Sequence, residues 1–78
     1  MEMEKAKFTL KSIRDIKGFT QGQAAKMIGV SVDTLSNYER GKSYPDVPTI
    51  RKIEEIYGVS YAQIIFLPLD YDLTVNSM

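Results

Sequence analysis

The sequence contains no cysteine and no histidine. Without cysteine there are no disulfides, no thiolate nucleophile and no thiolate zinc site. Without histidine the commonest metal ligand and the commonest general base are missing. A metalloenzyme or a triad hydrolase is disfavoured on these grounds before any motif is considered. No apolar run approaches the roughly 18 residues of a membrane span, and the first ten residues carry charge where a signal peptide needs an apolar stretch. Both absences lead to the expectation of a soluble, cytoplasmic protein. At 78 residues the chain reads as one domain with an economical core and no room for a second sensory or catalytic domain.

Net charge is lacking overall, since ten basic residues balance ten acids, but the charges are unevenly placed. Residues 1 to 53 hold all ten Lys and Arg against six acids, giving +4, while residues 54 to 78 hold Glu54, Glu55, Asp70 and Asp72 and no base, giving −4. A nucleic-acid face therefore belongs in the first two thirds of the chain.

Start and stop signals mark five helical segments. The first spans Thr9 to Lys17, with Thr9 as N-cap, Leu10, Ile13 and Ile16 spaced to share a face, and Gly18 as terminator. The second spans Thr20 to Ile28, opened by a capping box between Thr20 and Gln23 and closed by Gly29. The third runs from its N-cap Ser31 to Arg40 and stops at Gly41. Lys42 to Pro45 reads as a loop, and Asp46 caps a fourth helix with Pro48 in its first turn, where a missing N–H costs nothing. Ile50, Ile53 and Ile56 or Tyr57 make its buried stripe, and Gly58 closes it. Ser60 with Gln63 opens a short fifth helix carrying Ile64, Ile65 and Leu67, which Pro68 stops. The chain thus divides into an N-terminal arm (1–8), a helical domain (9–67) and a tail (68–78). Tyr71 to Val75 reads equally as a strand or as disordered chain, because a lone strand needs a second copy to supply a sheet.

Two short helices joined by a tight turn at Gly29, then a helix apolar on one side and polar on the other, form a helix-turn-helix unit. At roughly 100° per residue, Leu35 and Tyr38 point one way on the third helix while Asp33, Ser36, Asn37 and Arg40 point the other. Ser36 and Asn37 are weak helix formers, so they are unexpected on a merely solvated face, where Lys or Glu is the usual choice.

From Leu10 to Leu67 the chain resembles the repressor and Cro-type (XRE-like) helix-turn-helix domains of phage and bacterial regulators. The resemblance rests on Thr20-Gln21, Ala24-Ala25, Ile28-Gly29-Val30-Ser31, Thr34-Leu35, Tyr38-Glu39-Arg40-Gly41-Lys42, Tyr44-Pro45 and Tyr57-Gly58-Val59-Ser60, in register without a gap. It implies an all-α, five-helix, lambda-repressor-like DNA-binding domain with the helix-turn-helix at helices 2 and 3. It also implies that the third helix enters the major groove of double-stranded DNA with Val32, Asp33, Ser36 and Asn37 near base edges. The chemistry is compatible: Asn37 suits adenine, Val32 a thymine methyl and Asp33 the cytosine amino group. Asp33 has a structural alternative, since an acid in a first helical turn is favoured by the helix dipole with or without DNA. Phosphate contacts fall by the same resemblance to Gln21, Ser31, Arg40, Lys42 and Ser43. Arg14 and Glu39 occupy positions that pair in the family, which implies a structural ion pair holding the third helix to the first.

Two features depart from the pattern: Gly22 weakens the second helix, and Asp33 sets negative charge toward the DNA. The expected function is a sequence-specific operator-binding regulator of phage or mobile-element type. It needs no cofactor, metal or small-molecule ligand and acts as a homodimer through the fifth helix or the tail. The alternative is a protein-interaction module, such as an antitoxin, that keeps the fold without reading DNA. No nucleophile, base or metal set supports an enzyme.

Overall fold

A computed structural model describes residues 7–66. Within them the order is a short strand β1 (Phe8–Thr9), helices α1 (Leu10–Lys17), α2 (Gln21–Ile28), α3 (Val32–Arg40) and α4 (Val47–Tyr57), one 3-10 turn (Tyr61–Gln63) and a second short strand β2 (Ile64–Ile65).

Each α-helix starts where a side-chain oxygen can take up a backbone N–H left free by the first turn. Thr9 accepts from the Ser12 amide at 3.1 Å, Ser31 from Thr34 at 3.0 Å and Asp46 from Thr49 at 3.0 Å. At α2 the exchange is reciprocal: Thr20 Oγ1 accepts from the Gln23 amide at 3.0 Å and Gln23 Oε1 accepts from the Thr20 amide at 2.9 Å. The turn between α2 and α3 depends on Gly29, whose φ of 93° lies in the left-handed region that side chains disfavour. There the amides of Gly29 and Val30 both return to the Ala25 carbonyl, at 2.8 and 3.0 Å.

The core gathers Leu10 and Ile13 of α1, Ala24, Ala25 and Ile28 of α2, Leu35 of α3, Ile53 and Tyr57 of α4, and Ile64 of β2. The paired alanines remove bulk where α2 approaches its neighbours, so that Leu35 and Ile53 are wholly enclosed. Ile16 departs from the expected α1 stripe and is 65% exposed. The buried arc is centred on Leu10, Ile13 and Arg14; Ile16 lies roughly 60° beyond Ile13 on the solvent side. Apolar spacing identifies the helix, but a buried arginine completes its inner face.

The largest correction concerns the expected fifth helix. The opening interaction at Ser60 forms, with Gln63 Oε1 accepting from the Ser60 amide at 3.1 Å, yet only the 3-10 turn follows. Ile64 then turns extended (φ −98°, ψ 128°) and β2 pairs in parallel with β1, Phe8 opposite Ile64 and Thr9 opposite Ile65. The segment before Pro68 is too short for a stable helix, adjacent β-branched residues favour extended backbone, and Phe8 offers both a ladder partner and cover for Ile64. The expected N-terminal arm thus enters the domain at Phe8. Leu67 and the whole tail, including Tyr71 to Val75, lie outside the described residues, as do residues 1–6.

Two stability predictions arise from the fold. Gly22 is exposed within α2, and a Cβ there would meet only Thr20 Oγ1 at 4.0 Å. Gly22→Ala should therefore stabilise the domain, by something approaching 1 kcal/mol, read as a higher denaturation midpoint. Tyr57 is fully buried, and its hydroxyl has no hydrogen-bond partner among the described residues. Burial, reinforced by Glu39, pushes its phenol up to about 12. A raised phenol pKa means that the folded state favours the neutral form. This stability is fully present below pH 10 and is lost as pH rises toward 12, a loss of about 2–3 kcal/mol. Tyr57→Phe should be at least as stable as the parent at neutral pH, because it removes a buried hydroxyl with no partner. It should also show a shallower alkaline decline in a denaturation series from pH 8 to 12.

Candidate nucleic-acid interface

The helix-turn-helix unit is α2, the turn at Gly29 and α3. Leu35 faces inward and is fully buried, and the half-buried Tyr38 packs against the same core. On the outer side Val32 is 45% exposed, Asp33 and Arg40 are exposed, and Ser36 and Asn37 are partly covered. The four residues singled out for base reading therefore lie on one accessible stretch beginning at the first turn of α3. Asp33 stands in that first turn, where the positive end of the helix dipole favours a carboxylate regardless of any ligand. Arg40 Nη2 donates to Asn37 Oδ1 at 3.2 Å across the exposed surface.

What fixes this helix is an interaction at its inner end. Arg14 Nε donates to Glu39 Oε2 at 2.6 Å and Nη2 to Oε1 at 3.2 Å, with the two side chains only 10% and 5% exposed. A third donor, Gln21 Nε2, reaches Glu39 Oε1 at 3.0 Å. The remaining guanidinium nitrogen, Nη1, donates to the Phe19 carbonyl at 3.0 Å. The hydrogen bonds to Glu39, more than burial opposes it, hold the guanidinium above its ordinary pKa. Fork geometry suits a carboxylate, and each buried polar atom of the pair has a partner, as such a pair requires. The network joins α1, the α1–α2 turn, the first residue of α2 and the last turn of α3, fixing the outer face of α3 relative to the scaffold.

The residues assigned to phosphate fall into two groups. Arg40, Lys42 and Ser43 are exposed where α3 ends and the following loop begins. The side chains of Gln21 and Ser31 have internal partners: Gln21 holds Glu39, and Ser31 Oγ donates to Thr34 Oγ1 at 2.9 Å while accepting from the Thr34 amide. The Gln21–Glu39 bond and the Phe19 carbonyl are not visible in the sequence. A glutamine opening a helix has no distinctive pattern, and a carbonyl acceptor leaves no trace in residue type. Among the described residues no group of three or more metal-ligating side chains occurs, and no helix is long and apolar enough to cross a membrane.

Comparison with known proteins agrees with this geometry. A family model described as helix-turn-helix matches residues 10–64. The chain is 41% identical over 51 residues to the HTH-type transcriptional regulator ImmR of Bacillus subtilis, covering 65% of this chain and 40% of that protein. It is 35% identical over 73 residues to the antitoxin PezA of Streptococcus pneumoniae, covering 86% and 46%. It is also 30% identical over 56 residues to the cryptic phage CTXphi transcriptional repressor RstR of Vibrio cholerae, covering 72% and 50%. The chain spans half or less of the length of these relatives. The matched stretch takes in α1 to α4 and the buried Arg14–Glu39 network, and the chain belongs to the helix-turn-helix family.

Proposed function

We propose that this chain is a sequence-specific double-stranded DNA-binding transcriptional regulator, of the repressor or Cro-like phage type, that inserts α3 into the major groove of an operator. The observation that carries the reading is the outer face of α3, short, polar and accessible, on a helix secured from inside by Arg14, Glu39 and Gln21. Val32, Asp33, Ser36 and Asn37 then meet base edges. Asn37 gives up its exposed bond to Arg40 and takes adenine through both amide atoms, while Arg40 turns to a phosphate. Lys42 and Ser43 contact phosphate directly. Gln21 and Ser31 contribute at the N-terminal ends of α2 and α3, where backbone N–H groups and the helix dipole favour an anion. One recognition helix reads few base pairs, so a homodimer on a two-fold operator is the working form. The site of action is the cytoplasm, where the DNA lies, and the role is binding without catalysis.

A second reading is favoured by the antitoxin relative, which this chain matches over 86% of its own length. In that reading the domain serves protein binding and its contacts with DNA are incidental. Salt dependence separates the two. Binding to random-sequence duplex should weaken steeply as salt rises. Lys42→Ala should weaken it on every sequence and flatten the log–log slope by about 0.9 for each phosphate left without its cation. A parent protein whose duplex binding is absent, or indifferent to salt, would favour the protein-binding reading.

A further inference from the structure

Helices α2 and α3 are joined covalently at one end, through the turn at Gly29. Both bury apolar side chains in the shared core, Ala24, Ala25 and Ile28 from α2 and Leu35 from α3. Burial of this kind is non-directional, and paired alanines offer little relief to interlock, so it draws the helices together without fixing the angle between them. That angle matters at the DNA. A swing of about 10° about the turn carries the far end of α3, ~13 Å away for its 9 residues, through ~2 Å, against the ~0.5 Å within which a binding constellation must be held.

A directional tie lies at the opposite ends of the two helices. Gln21 is the first residue of α2, Glu39 stands in the last turn of α3, and Gln21 Nε2 donates to Glu39 Oε1 at 3.0 Å. Chemistry sets the sense of the amide, because its oxygen turned toward the carboxylate would be repelled. Glu39 is itself held: its side chain is 5% exposed and accepts from Arg14 Nε at 2.6 Å and Nη2 at 3.2 Å. Arg14 connects it to α1 and, through the Phe19 carbonyl, to the turn before α2; Gln21 connects it to α2 directly. The turn at Gly29 thus closes one end of the pair and the Gln21–Glu39 bond braces the other. Asn37 precedes Glu39 on the same helix, so the brace acts beside the outer face of α3.

We propose that Gln21 is a positioning residue whose side chain sets the angle between α2 and α3, and so governs discrimination between operator and random DNA more than affinity for DNA as such. Its backbone stays at the start of α2 for a phosphate, so one residue joins phosphate seating to base reading. The consequence for DNA rests on operator reading by α3; the geometric part does not. Gln21→Met keeps the length of the side chain and removes the donor, while Glu39 retains both bonds from Arg14. In residual dipolar couplings measured on the full chain without DNA, the α3 amides of this variant should depart from the parent orientation relative to α2, while α1 and α2 keep theirs. On DNA, the variant should lose operator affinity roughly tenfold more than random-duplex affinity, the size of one spoiled base contact. Couplings that fit the parent frame unchanged would overturn the proposal, since the bond would then follow the helix angle without setting it. Equal losses on both duplexes would also overturn it, leaving Gln21 a phosphate contact alone. Because the couplings are read without DNA, they decide the role of the brace even where the parent selects no operator.

Discussion

Arg14→Ala is expected to cost about 3–5 kcal/mol, a large fraction of the roughly 5–15 kcal/mol that holds a typical domain folded. The loss comes less from the missing attraction than from what remains. Among the described residues Glu39, with its side chain 5% exposed, keeps only the Gln21 amide as a partner, and the Phe19 carbonyl loses its Arg14 donor. Because such a variant can fall below the folding threshold, the informative comparison adds Arg14→Met combined with Glu39→Leu. Removing both charges together leaves no orphan, and an apolar pair of similar volume is often neutral or better, so the double variant should recover most of the stability. Urea titrations of the three proteins check this. A single substitution costing less than about 1 kcal/mol would mean that the pair behaves as a solvated surface bridge. The double variant should still bind DNA less well than its stability alone requires, since the ion pair would no longer set the position of α3.

Asn37→Ala is the second large effect, and its sign differs between stability and binding. Asn37 is a poor helix former whose observed side-chain bond is an exposed one to Arg40, so alanine should leave the fold unchanged or firmer by up to about 0.6 kcal/mol. A bidentate contact with adenine is worth about 1–3 kcal/mol, which predicts an operator affinity lower by roughly 5- to 150-fold for each half-site. The dependence of affinity on salt should be unchanged, because no phosphate contact is removed. Thermal denaturation and operator titration at several salt concentrations give the three numbers. A variant that binds worse only because it is less folded would show the opposite stability change and would remove Asn37 from the reading surface.

The helical frame is legible because the signals that set it are local. Thr9, Thr20, Ser31 and Asp46 each cap the helix that follows, and the turn at Gly29 announces itself by residue type. What sequence alone does not yield depends on partners distant along the chain. The extended form of Ile64 and Ile65 is decided by pairing with Phe8 and Thr9, residues at the opposite end of the domain's sequence, and a capping box read in isolation points instead to a helix. The apolar character of Ile16 assigns it to the core, whereas the inner face of α1 goes to Arg14, which is buried because Glu39 and the Phe19 carbonyl await it. The bond from the Gln21 side-chain amide to Glu39 is likewise a contact that residue type does not announce. In each case the sequence supplies the element and tertiary contact chooses the side chain's role.

Operator reading by α3 is tested by selection of duplexes from a random library at near-physiological salt, with the parent protein and Asn37→Ala run side by side. The parent should enrich a two-fold motif, and the variant should blur it at one position in each half-site. A parent protein that enriches no motif would contradict specific DNA reading by this chain.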